Sequence, residues 1–146
     1  MTFRNRLRDA LLRAMNLAHR GVLAASGGRL GWTIGPMPAV EQHTIGRRTG
    51  RRRSTMLTSP VHEHGRYVLV ASKGGDDRNP EWYRNLQANP GVELTVRGEV
   101  LPMRARTATA AEKAELWPRI IAVNPGYAGY QRKTTRDIPV VICEPG

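Results

Sequence analysis

The stretch Gly91-Val92-Glu93-Leu94-Thr95-Val96-Arg97 alternates strictly, with Val92, Leu94 and Val96 on one face and Glu93, Thr95 and Arg97 on the other. A period of two with one apolar face describes a half-buried β-strand. Gly98-Glu99 then turns the chain into a partner run at residues 100–107, and so short a connection joins only antiparallel neighbours. Further strand-like runs occupy residues 40–45, 54–61, 66–72 and 138–143, the second and third folded about Glu63-His64-Gly65. Six strands linked mostly by hairpins predict a mainly β, α+β chain with a largely antiparallel sheet. Few residues between strands favour closure into a small barrel. A doubly wound parallel sheet is excluded, because strand–helix–strand periodicity and a G-x-G-x-x-G motif are both missing.

Helical patterns flank these strands. Phe3, Leu7, Leu11, Met15 and Ala18 recur at helical spacing, which predicts an amphipathic helix from residue 3 to about 20. Its basic face suits either a cover over the chain's own domain or contact with an anionic membrane. Residues 21–38 are rich in glycine and proline and read as a linker, with Trp32 as an anchor or a lid. The division expected is therefore residues 1–38, helix and linker, and residues 39–146, the domain. Asn79-Pro80-Glu81 predicts an N-cap at Asn79 and a short helix to Ala88, and Thr109-Ala110-Ala111-Glu112 predicts a capping box opening a helix to Val123. Tyr127 and Tyr130 follow the Asn124-Pro125-Gly126 stop.

The chemistry is concentrated in Gly46-Arg47-Arg48-Thr49-Gly50-Arg51-Arg52-Arg53, where five of eight residues are arginine. Arginine binds phosphate and carboxylate bidentately, and the glycines let main-chain N–H groups approach a ligand. A net charge of +11 would attract anions of any kind. Aromatic residues are not interleaved with the basic loop, so stacking readout of nucleic acid lacks its usual parts. His62 and His64 read as turn residues, and Cys143, the single cysteine, as a small core residue in a reduced, cytoplasmic setting. No apolar run approaches the roughly 20 residues of a membrane span, and Arg4, Arg6, Arg8 and Arg13 interrupt any signal-like apolar segment. Walker A and G-x-S-x-G motifs are absent, so hard chemistry here would belong to a cofactor.

Several spaced motifs together resemble the deazaflavin-dependent nitroreductase family. They are Thr44-Ile45-Gly46-Arg47-Arg48-Thr49-Gly50 with Arg53, Val70-Ala71-Ser72-Lys73-Gly74-Gly75, and Asn79-Pro80-Glu81-Trp82-Tyr83-Arg84-Asn85-Leu86. Asn89-Pro90, the helix of Glu112, Trp117 and Pro118, and Ile138-Pro139-Val140-Val141 with Glu144-Pro145 extend the match over residues 40–145. The resemblance implies a split β-barrel binding coenzyme F420, a deazaflavin that carries a phosphate and a polyglutamate tail. It implies that Arg47, Arg48, Thr49 and Arg53 hold the phosphate and that Ser54, Thr55, Met56, Leu57, Thr58 and Ser59 border the ring. Val70, Ala71, Ser72 and Lys73, with Glu81, Trp82, Tyr83, Arg84 and Asn85, would line ring and tail. Tyr127 would close the pocket. Hydride would pass from reduced F420 to an electron-poor small molecule: a quinone, conjugated carbonyl or nitro compound. Ser72 would donate a hydrogen bond, and Tyr127, Tyr130 or a water a proton. Two departures bear on the acceptor, since Thr58-Ser59 stands where the nitroreductase has an aromatic pair, and Asn124 where it has a tyrosine. An FMN-binding relative, a carrier of a lipophilic ligand and a nucleic-acid module remain the alternatives.

Overall fold

The structure is a computed structural model that describes residues 3–25, 33–34 and 37–146. Helix α1 spans Phe3–Ala25, and the strands are β1 Thr33–Ile34, β2 Met37–Ile45, β3 Arg52–Thr58, β4 Val61–Glu63, β5 Arg66–Val70, β6 Gly91–Val96, β7 Glu99–Thr107 and β8 Val140–Pro145. Helix α2 covers Glu81–Ala88, α3 Ala110–Val123 and α4 Gly126–Arg132, and a single 3-10 turn lies at Lys73–Gly75. Every strand pairing among the described residues is antiparallel.

The sheet runs β3-β2-β6-β7-β8-β5-β4, with the two-residue β1 added on β2. It curls until β3 and β4 meet across a gap that Ser59 stitches: its N–H donates to Pro38 O at 2.9 Å, and its Oγ lies 2.9 Å from both Val61 O and Val68 O. This is the split barrel. The chain turns at Ser59-Pro60, so the expected strand over 54–61 is really two strands.

The β6–β7 hairpin folds as its alternation predicts. Val92 pairs with Met103 and Leu94 with Leu101, and Val92, Leu94 and Val96 all point into the core. Inside the barrel, Val40, Leu69, Leu94 and Val141 pack against Trp82, Tyr83 and Leu86 of α2, which plugs one end. A second cluster joins Val68, Val70, Val140 and Ile142 to Leu116 and Ile120 of α3 and Tyr127 of α4. Cys143 is fully buried, and burial pushes its thiol up to about 12, so the sulfur is a core atom and not a nucleophile.

The capping box at α3 forms as predicted. Thr109 Oγ1 accepts from Glu112 N–H, and the Glu112 carboxylate accepts from Thr109 N–H at 2.9 Å. Arg106 on β7 adds bonds to both Glu112 oxygens and one to Glu144 on β8, tying the helix to the sheet. The expected N-cap at Asn79 shifts by one residue. Pro80 occupies that position with extended backbone, and Asn79 Oδ1 instead accepts from Arg136. His62 stacks on Tyr67 with ring centroids 4.2 Å apart.

Helix α1 corrects a second expectation. It does lie on the domain, but through polar residues: Asn16 bonds the main chain of Met56, Asp9 meets Lys73 and Arg78, and Arg8 meets Asp76. Leu7, Leu11 and Met15 stay about 60% exposed. The linker reading is corrected in part: residues 21–25 continue α1, Thr33–Ile34 form β1 and β2 begins at Met37, while Trp32 lies outside the described residues.

Candidate functional site

The arginine turn connects β2 and β3, which pair from Ala39↔Thr58 to Ile45↔Arg52. Gly46 N–H donates to Arg51 O at 2.7 Å and Gly50 N–H to Gly46 O at 2.8 Å, while Gly50 takes φ +69°. A Cβ at Gly46 would sit 2.8 Å from Thr49 Oγ1, 3.3 Å from Arg51 O and 3.6 Å from Arg53 Nε. Only glycine lets the turn fold over on itself, and the fold brings a hydroxyl and a guanidinium to one point.

Arg47 braces the turn against α2. Its N–H and Nη1 both donate to Asn85 Oδ1, at 3.2 and 3.0 Å, and Nη1 reaches Glu81 Oε2 at 2.7 Å. Asn85, which is buried, donates in turn to Thr44 Oγ1 at 3.4 Å. The bond from Arg47 holds the Glu81 carboxyl below its ordinary range. Arg52 pairs with Glu93 at 3.0 Å. By contrast, Arg48, Arg51 and Arg53 have no counterion among the described residues, and the N–H groups of Arg48 and Thr49 have no acceptor there. Free main-chain donors, a hydroxyl and unpaired guanidinium groups are what an anion with several oxygens needs. The phosphate and tail carboxylates of F420 fit that donor set.

Beside the turn runs β3, bonded to β2 on one side and met by Asn16 of α1 on the other. Ser54 Oγ bonds His43 Nδ1 at 2.7 Å, and Thr55 is partly exposed. Met56 and Ser59 are buried, and Leu57 packs on the core. Thr58 Oγ1 shares a 3.3 Å hydrogen bond with Tyr127 OH.

The loop after β5 holds the next group. Val70 and Ala71 face inward, while the Ser72 hydroxyl has no partner among the described residues. Lys73 has φ +46° and places Nζ 3.4 Å from Asp9 Oδ1. On α2, Arg84 is exposed, but Trp82 and Tyr83 are core residues, the latter bonding Thr107 Oγ1 at 2.8 Å. Met56, Ser59, Val70, Ala71, Trp82 and Tyr83 therefore shape the wall from behind.

Tyr127 and Tyr130 meet edge to face, with centroids 6.0 Å apart, and Lys133 Nζ lies 5.7 Å from the Tyr130 centroid. Tyr127 is 7% exposed, and burial raises its hydroxyl above the usual phenol value. It therefore keeps its proton at neutral pH and can only donate or pass one on. Tyr127→Phe deletes the bond to Thr58, so stability should fall by about 0.5–1.5 kcal/mol. Cofactor Kd should change little; titration and thermal melts of the two proteins check both halves.

Sequence reasoning missed Asn16, which ties α1 to β3, and Asp9, Asp76, Arg78 and Arg136, which tie α1 and the post-α4 segment to the Ser72 loop. None carries a local signal, because each acts on a partner distant in sequence or within an irregular loop.

Comparison with known proteins adds an independent line. The sequence matches the F420H(2)-dependent quinone reductase family over residues 17–145. It is 38% identical over 128 residues to the F420H(2)-dependent quinone reductase Rv1261c of Mycobacterium tuberculosis (strain H37Rv), covering 85% of each chain. Among solved structures, an F420-H2 dependent reductase (FDR-A) superposes with a TM-score of 0.67 at 42% identity, over 73% of this chain and 94% of that one. A protein described as a domain-swapped dimer gives a TM-score of 0.68 at 35% identity, over 98% and 100% of the two chains. The nitroreductase resemblance thereby narrows to one branch: the chain belongs to the F420H(2)-dependent quinone reductase family, oxidoreductases that use reduced F420.

Proposed function

We propose that Arg48, Thr49 and Arg53, with the main-chain N–H groups of Arg48 and Thr49, hold the phosphate and tail of F420, and that Arg47 braces them from α2. The observation that carries this reading is the set of donors at the turn left without internal partners. When bound, the reduced deazaflavin supplies a hydride to a quinone. The protein's own part is orientation and exclusion of water. The Ser72 hydroxyl donates to the acceptor oxygen as negative charge develops there. The Tyr127–Tyr130 pair bounds the acceptor side, and Tyr130, the more exposed of the two, is the proton source that solvent can resupply.

The direct test is oxidation of reduced F420 with a soluble naphthoquinone, run beside NADH and reduced FMN as donors. Turnover with reduced F420 alone supports the reading. Equal turnover with reduced FMN contradicts it.

A second reading concerns location. No described helix is long and apolar enough to cross a membrane. Exposed Leu7, Leu11 and Met15 alongside exposed Arg4, Arg6 and Arg13 instead support contact with an anionic lipid surface. Cosedimentation with phosphatidylglycerol vesicles should exceed that with phosphatidylcholine vesicles and fall in 0.5 M salt, because part of the attraction is screened. Equal recovery with both lipids contradicts this placement.

A further inference from the structure

Residues 71–79 form a loop that regular structure does not support. Lys73, Gly74 and Gly75 take φ of +46°, +64° and +85° in succession, and the only bonds between main-chain atoms within the loop are Gly75 N–H to Ser72 O and Asp76 N–H to Lys73 O. The carbonyls of Ala71, Ser72 and Asp76 all accept from one side chain. Arg136 Nε donates to Asp76 O at 2.8 Å and Nη2 to Ser72 O at 2.8 Å, while Nη1 reaches Ala71 O at 3.2 Å and Asn79 Oδ1 at 3.0 Å. One planar guanidinium thus spans the whole loop.

Arg136 is itself held from α4. Gln131 Nε2 donates to Arg136 O at 2.7 Å, and Gln131 Oε1 accepts from Ile138 N–H at 3.0 Å. The loop also presses on α4 directly: a Cβ at Gly75 would lie 2.8 Å from Tyr130 O and 2.9 Å from Lys133 Cβ. The chain of contacts therefore runs from the helix of Tyr127 and Tyr130, through Gln131 and Arg136, to the backbone of Ala71, Ser72 and Asp76.

We infer that Arg136 is a positioning residue that sets the Ser72–Lys73 backbone against the tyrosine helix, fixing the separation of cofactor and acceptor. The inference rests on the proposed role of Ser72. A small misplacement of reacting groups can cost about 100-fold in rate, which is the scale expected here. Lysine cannot substitute, because an ammonium is a compact point charge and cannot fan out to four acceptors in one plane.

The test compares Arg136→Lys and Arg136→Gln with the wild type by amide hydrogen exchange, F420 titration and steady-state turnover with a naphthoquinone. Both variants should show faster exchange at Gly75 and Asp76 with unchanged protection in β2 and β6. Both should lose about 100-fold in kcat, with the lysine variant no better than the glutamine. Wild-type kinetics in Arg136→Lys would overturn the inference by reducing Arg136 to a charge. Faster exchange throughout the barrel would overturn it by making the role purely structural. Ser72→Ala run in parallel separates the two layers: if it leaves kcat unchanged, the reading of Ser72 fails and the inference falls with it. If Ser72→Ala lowers kcat and the Arg136 variants do not, only the inference fails.

Discussion

Asp76→Asn should lower folding stability by about 3 kcal/mol, the cost of removing one partner from a buried ion pair. The Asp76 side chain is only 2% exposed. Oδ1 accepts from Arg78 N–H at 2.8 Å and Nε at 3.0 Å, and Oδ2 accepts from Nη2 at 2.9 Å, with Arg8 Nη1 3.3 Å away. An asparagine turns an amide N–H₂ toward these cations, where an acceptor oxygen was. The loss stays near the low end for such pairs because Arg78 and Arg8 are both partly exposed and can rehydrate. A fall in Tm of roughly 10 °C would follow for a chain of this size.

The same group sets an acid limb. Hydrogen bonds from Arg78, the largest cause, hold the Asp76 carboxyl well below its ordinary value. A carboxylate whose pKa is lowered by folding contributes stability above its unfolded pKa, about 3.9, and loses it as pH falls further toward the folded value. Stability should therefore decline below about pH 4 in the wild type, and less steeply in Asp76→Asn. Parallel acid limbs in urea titrations of the two proteins would contradict this assignment.

Arg53→Ala and Arg48→Ala should each weaken F420 binding by about 1.5–3 kcal/mol, the range for hydrogen bonds to a charged group. That corresponds to a rise in Kd of roughly 10- to 150-fold. Neither arginine has a counterion among the described residues, so removing one breaks no internal ion pair and should leave Tm near the wild type. Arg47 should behave differently, since its bonds to Asn85 and Glu81 brace the turn. Arg47→Ala should thus lower both affinity and stability. Equal stability losses in all three variants would contradict the division between binding and bracing arginines.

These effects also mark what the sequence made legible. The β6–β7 hairpin and the Thr109–Glu112 cap are local, decided by neighbours a few residues apart, and both formed as read. The arginine turn was legible for the same reason, because glycine spacing dictates how tightly a short connection can fold. Asn79 was misplaced because a long-range donor, Arg136, drew its side chain away from the helix end. The face α1 turns to the domain was not legible either. Periodicity finds the apolar stripe, but Asn16 and Asp9 meet partners at Met56 and Lys73 that only the folded sheet supplies. Burial of Trp82 and Tyr83 belongs to the same class, since a first helical turn can face a ligand or a core with one and the same sequence.

The central claim is that the turn at residues 46–53 anchors the anionic end of F420. It is tested most directly by titrating F420, and the same deazaflavin without its phosphate and glutamates, into wild type and the Arg48→Ala, Arg53→Ala double variant. The account predicts that the wild type prefers intact F420 by about 100-fold or more, as two charge-assisted contacts allow, and that the double variant loses most of that preference by weakening toward F420 alone. Equal affinity of the wild type for the two compounds would contradict it.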